Sequence, residues 1–149
     1  MMLNIPAPLK AEHEALHAVL GKATKEAGRT GEAARSVAEI LHPHFMKEEE
    51  YALPPLGLLT HLAQGEVVPE MKRALEMAHR LKKELPHMLE EHKAIVEALD
   101  KLADAARKEG KREYANFSKD LTLHAQTEEE VLYPAAILIG EYLKAKLKS

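Results

Sequence analysis

The 149-residue sequence contains no cysteine and no tryptophan, and only seven glycines and eight prolines. The absence of cysteine excludes disulfide bonds, thiolate zinc sites, iron–sulfur ligation and a cysteine nucleophile. The sequence also lacks any apolar run of about 18 residues, so we expect no membrane-spanning helix and no membrane partner. The N-terminal residues do not have the pattern of a signal peptide, and a cytoplasmic location is therefore the default expectation.

The sequence also lacks a strong net charge, because its 21 Lys and Arg residues nearly balance its 24 Asp and Glu residues and leave a formal net charge of −3. These charges are scattered, so we do not expect nucleic acid as a partner, and no feature indicates a protein partner. The good helix formers Ala, Leu, Glu and Lys dominate, and no alternating run indicates a strand. We therefore predict one all-α domain over residues 1–149.

Start and stop signals divide the chain into four long helices. The predicted spans run from after Pro8 to about Ala27, from about Gly31 to Ala52, from Pro69 to about Lys108, and from about Arg112 to Tyr133. Thr30 is the predicted cap of the second helix. Pro86 lies inside the third span, so we expect a kink or break there, and an extra helical segment before the third helix of the bundle. A short helix from Ala135 to Leu147 is predicted after Pro134.

The main functional signal is a conflict on the second helix. Along its apolar stripe, Leu41 is followed at helical spacing by His44 and Glu48. This is the face that should be buried, and an ionised carboxylate in a core costs several kcal/mol unless it is paired or bound to a metal. A His and a Glu one turn apart, both directed inward, suit a shared metal ion.

The same arrangement recurs 80 residues later at His124 and Glu128. His13 on the first helix and His92 on the third helix also align in the two halves, which span about 9–54 and 88–134. Each half is thus a helical hairpin with an inward His followed by His-x3-Glu. Two such hairpins predict an up-down-up-down four-helix bundle, a fold that commonly holds metals in its interior.

The repeat directs four imidazoles and two carboxylates to one region of this bundle. The six residues are His13, His44, Glu48, His92, His124 and Glu128. These are too many for one ordinary ion, and two ions that share bridging carboxylates fit better. Imidazole together with carboxylate suits iron, manganese or zinc and disfavours copper(I).

The order His, His-x3-Glu, His, His-x3-Glu-Glu resembles the hemerythrin-like HHE cation-binding domain over nearly the whole chain, from about Ala7 to Pro134. The resemblance implies a cofactor of two non-haem iron ions, Fe2+ or Fe3+. An oxo or hydroxo bridge between the two ions is one form that this cofactor takes. It implies that Glu48 and Glu128 bridge the ions, that the four His residues are terminal ligands, and that dioxygen or another small diatomic molecule binds there. Manganese and zinc stay open as alternative metals.

The chain departs from the oxygen carriers of that family in two respects. The carriers have a His-x3-His pair on their third helix, where this chain has Val96, whereas here such a pair occurs on the first helix, at His13 and His17. We therefore expect His17 to be a fifth imidazole on one ion, with His13 and His44, and the ion of the other two histidines to keep an open position beside Val96. A boundary position for His17 is the alternative.

The second departure concerns the last carboxylate, which the carriers place five residues after its His. Glu129 is therefore the alternative to Glu128, although Glu128 lies only about 40° from His124 around the helix and Glu129 about 140°. Glu129 is expected to face solvent or to hold a ligand His from outside.

Two functions remain open at this stage. The leading prediction is a binding protein and not an enzyme, in which a di-iron centre reversibly binds dioxygen or a related ligand. Such binding would serve oxygen or nitric oxide sensing, oxygen storage or iron handling. The alternative is a di-metal enzyme that acts on peroxide or repairs iron centres. The sequence offers no other nucleophile or acid–base set, so any catalysis would belong to the metals. A structural bundle with a vestigial site is a third possibility.

Overall fold

The computed structural model describes residues 3–148, and all regular structure within them is helical. The α-helices are α1 (Ala7–Ala23), α2 (Gly28–Lys47), α3 (Leu59–Ala63), α4 (Lys72–Lys108), α5 (Arg112–Thr127) and α6 (Tyr133–Lys146). Short 3-10 turns cover Pro54–Leu58 and Pro69–Met71. The prediction of an all-α bundle with four long helices is confirmed.

Two π turns extend the second and fourth long helices. The first, Glu48–Ala52, continues α2, and the second, Glu128–Leu132, joins α5 to α6. The backbone hydrogen bond that closes the first π turn is donated by Leu53 N to Glu48 O, over 2.9 Å. In each half a proline follows six residues after the first Glu of the triplet. In an α-helix its ring clashes with the carbonyl four residues back, and the wider i→i+5 turn relieves that clash.

The expected break at Pro86 was wrong. Helix α4 runs through this proline without interruption for 37 residues, so the segment before it is part of the third long helix. The loss of one backbone hydrogen bond is offset by burial on both sides of the proline, where Leu81 and Met88 are each 0% exposed. The C-terminal helix exists, but the second π turn joins it to α5, so it begins at Tyr133.

A carboxylate from the end of α4 stabilises the start of α2. Glu109 accepts hydrogen bonds from the hydroxyl of Thr30 and from the backbone N–H groups of Thr30 and Arg29, at 2.5, 2.9 and 3.1 Å. The hydroxyl bond first, and then the two backbone bonds, lower the pKa of Glu109 to about 2. The prediction that Thr30 caps the helix was therefore wrong, because α2 begins at Gly28 and Thr30 bonds across the bundle instead.

The core consists of two apolar clusters. The first includes Leu20, Leu41, Phe45, Ile95, Leu99, Phe117 and Leu121 from α1, α2, α4 and α5. The second includes Tyr51, Leu53, Met71, Leu81, Met88, Tyr133 and Leu143, and it is completed by the segment between the first π turn and α4. In sequence, His92 lies between Met88 of the second cluster and Ile95 of the first, and His124 lies between Leu121 of the first and Tyr133 of the second. Within residues 3–148, no helix is both long and apolar enough to cross a membrane.

Two helical glycines give a matched test of helix packing. A Cβ on Gly140 of α6 would lie 2.5 Å from the Cβ of Ala78 on α4, whereas a Cβ on Gly21 of α1 meets nothing within 4 Å. Gly21→Ala should raise the free energy of unfolding by about 0.5–1 kcal/mol, the usual gain in a helix. Gly140→Ala should lower it by about 1–3 kcal/mol through overpacking, as measured by urea unfolding. Stabilisation by both variants would show that α4 and α6 do not pack this closely.

Candidate metal centre

Six His and Glu side chains meet in the interior of the bundle. Their exposed fractions are 5% for His13, 0% for His44 and Glu48, 2% for His92, 5% for His124 and 1% for Glu128. They come from α1, α2, the first π turn, α4, α5 and the second π turn. Every long helix thus contributes at least one polar group to a layer that is otherwise buried.

These donors form two groups that share one carboxylate. His44, Glu48, His92 and Glu128 make up the His44 end, and His13, His124 and Glu128 make up the His13 end; within each group the donor atoms lie within 4.8 Å of one another. At the His44 end the two Nε2 atoms are 2.9 Å apart. At the His13 end the corresponding distance is 3.1 Å.

Each carboxylate turns one oxygen to each end. Glu128 Oε1 lies 3.2 Å from His92 Nε2, while its Oε2 lies 3.1 Å from His124 Nε2. Glu48 does the same at longer range, with Oε1 at 3.6 Å from His13 Nε2 and Oε2 at 3.6 Å from His44 Nε2. The two carboxylates therefore connect the two pairs of imidazoles.

The imidazoles pair across the two halves of the repeat and not within them. The sequence analysis grouped His13 with His44, but His13 lies against His124 and His44 lies against His92. Helix α1 packs against both α2 and α5, so either pairing was open to His13. The hairpin connectivity alone did not decide between them.

His17 is not brought to this cluster. Its side chain is exposed, it belongs to neither group, and its ring centroid lies 6.1 Å from that of His42. His17 lies one turn along α1, about 6 Å along the helix axis from His13, where it faces His42 of α2 and not the cluster. The expectation that His17 supplies a fifth imidazole is therefore corrected by the structure.

A second layer of carboxylates holds three of the imidazoles from outside. Glu91 Oε1 lies 2.9 Å from His44 Nδ1, and Glu129 Oε1 lies 3.0 Å from His92 Nδ1. Glu12 contacts His124 Nδ1 in the same way. A carboxylate at Nδ1 fixes the proton on that nitrogen, so the Nε2 lone pair is directed into the cluster.

Sequence analysis missed two of these second-layer carboxylates. Glu12 and Glu91 each come directly before the histidine that the two halves share, His13 and His92, and this Glu-His dipeptide was visible in the internal repeat. Glu12 contacts His124 of α5 and Glu91 contacts His44 of α2, so neither contacts the histidine that follows it in sequence. For Glu129, the structure agrees with the alternative in which it holds a histidine from outside the cluster.

The donor set fits cations. With Nδ1 protonated on His44 and His92, two Nε2 lone pairs face each other at 2.9 Å without a hydrogen between them, which is repulsive unless a positive charge lies nearby. Within residues 3–148, the buried Glu48 Oε1 has no hydrogen-bond partner. An unpartnered carboxylate oxygen and converging lone pairs are the complement of a bound metal ion.

Without a metal, protons must supply the positive charge. Burial, together with the nearby Glu128 carboxylate, raises the pKa of Glu48 to about 7. Burial also opposes ionisation of Glu128, but its hydrogen bonds to Glu48 and the histidines lower its pKa well below the usual range. Burial lowers the pKa of His124, yet the bonds to Glu128 and Glu12 outweigh this and raise it to about 9. Metal binding must displace these protons.

Tyr133 is a member of the site that sequence analysis did not identify. Its side chain is 0% exposed, and its hydroxyl lies 2.5 Å from Glu48 Oε2, 3.1 Å from His92 Nε2 and 3.2 Å from His44 Nε2. In an α-helix a residue five positions after Glu128 would lie about 140° away around the axis. The π turn brings it back to the same face, and the only sequence signal for that turn is the proline that follows.

A family model described as the hemerythrin HHE cation binding domain matches residues 4–136. This range includes both groups of donors and Tyr133. Comparison with curated proteins and with solved structures gives no match. The match confirms the resemblance found in the sequence, and the description of the family states cation binding.

Removal of single imidazoles tests the arrangement of the cluster. His13→Ala should reduce metal affinity by about tenfold or more, because it deletes a donor that points inward. His17→Ala is the matched control one turn away on the same helix, and it should bind metal as the unsubstituted protein does. Metal per chain is measured by elemental analysis after dialysis against a weak chelator. Equal loss of metal in both variants would contradict the structure.

Proposed function

The chain belongs to the hemerythrin HHE cation-binding family, and on that basis we propose that it holds two non-haem iron ions and reversibly binds dioxygen or a related small diatomic molecule. When bound, the iron pair supplies the electrons that such a ligand needs. The observation that carries the proposal is the pair of buried donor groups that share Glu128. Sensing, storage and iron handling are all compatible with this function.

The residues of each end have defined roles in this proposal. His44 and His92 would hold one ion, His13 and His124 would hold the other, and Glu48 and Glu128 would supply carboxylate oxygens to both. In support, the oxygens of Glu128 are divided between the two ends, at 3.2 Å from His92 Nε2 and 3.4 Å from His13 Nε2. Bridging carboxylates of this kind allow two ions to lie close together without strong mutual repulsion.

The second-layer carboxylates keep the imidazoles neutral and oriented. Glu91 illustrates this, because its second oxygen accepts a hydrogen bond from Lys47 Nζ at 2.7 Å while its first holds His44 Nδ1. The Lys47 and His44 contacts outweigh the effect of burial and lower the pKa of Glu91, so this carboxylate stays ionised. Such outer partners typically change metal affinity by about 10–100-fold when they are removed.

The surroundings exclude bulk water from the cluster but leave routes for a small ligand. The Phe45 ring stacks on the His13 ring, with centroids 4.2 Å apart and an interplanar angle of 11°. A pocket of about 470 Å³ reaches His13 between α1 and α2, and one of about 410 Å³ reaches His92 beside Val96. A dry interior favours reversible binding over loss of the ligand as a reduced product.

Metal analysis and rapid mixing test this function. The purified protein should contain about two iron atoms per chain, one for each end. Glu128→Gln should lose iron, while Glu130→Gln, an exposed neighbour in the same triplet, should not.

Reduced protein mixed with dioxygen in a stopped-flow instrument should give a long-lived coloured adduct that disappears when oxygen is removed. Rapid loss of the adduct with turnover of peroxide would instead favour the enzyme, and absence of iron would contradict the proposal.

Acid should release the metal. The histidines bind as neutral imidazoles and the carboxylates as anions, so protons compete with the ions for every donor. Metal retained after desalting should be complete near neutral pH and lost at about pH 4, below the ordinary pKa of His. Full retention at that pH would show that the metal is not held by these side chains.

A further inference from the structure

We propose that Tyr133 is a further metal ligand, which binds the ion at the His44 end through its phenolate oxygen. This inference rests on the proposed function, because it requires cations in the cluster. It adds a type of ligand that the spacing of His and Glu does not contain, and it makes the two ends of the site chemically different.

The position of the hydroxyl carries the proposal. It lies within 3.5 Å of a donor atom on every member of the His44 end, the longest of these contacts being 3.5 Å to Glu128 Oε1. Among the described residues, the hydroxyl has no hydrogen-bond partner outside this group. A buried tyrosine with a purely structural role would usually bond to a backbone carbonyl or to water. All the polar contacts of Tyr133 belong to the candidate metal site.

The pseudo-symmetry of the bundle shows that this group is specific to one end. The residue equivalent to Tyr133, 80 positions earlier, is Leu53, which is 1% exposed and packs in the second apolar cluster. Both residues follow a π turn that begins at the first Glu of a triplet. The same backbone position therefore occurs in both halves of the repeat, and of the two residues only Tyr133 has a hydroxyl group.

Ligation requires the phenol to lose its proton. The O–H bond breaks, an oxygen–metal bond forms, and the proton passes to Glu48 Oε2, the acceptor at 2.5 Å, before it leaves to solvent in exchange for the cation. No electron is transferred in this exchange. An anionic oxygen is a hard ligand, so it should favour the ferric over the ferrous ion.

The additional ligand also decides which end keeps an open position. The His44 end would have two imidazoles, the shared carboxylates and the phenolate, whereas the His13 end would have two imidazoles and the shared carboxylates alone. The open position for a diatomic ligand then lies at the His13 end, next to the pocket that reaches His13 and Phe45. This differs from the sequence-based expectation of an open position beside Val96.

Optical spectroscopy of the ferric protein tests the ligand directly. The full chain and two variants, Tyr133→Phe and Tyr51→Phe, are loaded with ferrous iron and oxidised in air. Ferric phenolate absorbs in the visible by charge transfer, and resonance Raman excited in that band shows the modes of the tyrosine ring. Tyr51 is the matched control, because it is also buried, within the first π turn, and among the described residues its hydroxyl donates a hydrogen bond only to Met88 Sδ, at 3.7 Å.

We expect the band and the ring modes in the unsubstituted protein and in Tyr51→Phe, and their loss in Tyr133→Phe with about two iron atoms per chain retained. If the unsubstituted protein binds iron without these signals, or if Tyr133→Phe keeps them, the inference is overturned while the proposed function stands. If no iron binds at all, both fail. Should Tyr133→Phe not fold, ring-deuterated tyrosine in Tyr51→Phe must shift the ring modes, which shows that the ligand is a tyrosine other than Tyr51; absence of a shift would overturn the inference.

Discussion

Two carboxylates lie buried against four imidazoles in the centre of this bundle, and the rest of the structure depends on how that charge is compensated. Glu48 and Glu128 are 0% and 1% exposed, so neither is stabilised by water. Burial of an unpaired carboxylate costs several kcal/mol, and here there are two, side by side. Cations between the imidazole pairs would satisfy the oxygens of both carboxylates and the Nε2 lone pairs together. Protons on Glu48 and His124 are the partial substitute that remains when metal is absent.

The helical framework serves this compensation at several levels. The half-buried Glu91 and the more exposed Glu129 lie outside the cluster and hold His44 and His92 with their Nε2 lone pairs inward. The two π turns begin at the buried carboxylates themselves, which agrees with the frequent use of such turns at functional sites. The apolar clusters on either side of the polar layer then seal it from solvent.

Much of this could be predicted from the sequence, because inward His and Glu at helical spacing conflict visibly with an apolar stripe. The duplication turned His44 and His124 from two chance residues into a pattern, and helix propensity gave the all-α fold. The pairing of imidazoles could not be predicted, since a bundle allows each helix two neighbours. Tyr133 was missed because an ideal α-helix would place it about 140° from Glu128 around the helix axis, away from the cluster. His17 was misassigned because only its direction around the axis of α1 was considered, and not its distance of about 6 Å along that axis from His13. The break expected at Pro86 failed because burial on both sides outweighs one lost hydrogen bond.

The central claim is that cations occupy the space between the two pairs of imidazoles. Anomalous X-ray scattering at the iron absorption edge, from crystals of the iron-loaded protein, measures this most directly. The account predicts two anomalous peaks within the cluster, one between His44 and His92 and the other between His13 and His124. Peaks at other positions, or Glu48 and Glu128 turned to solvent in a cluster without anomalous signal, would contradict it.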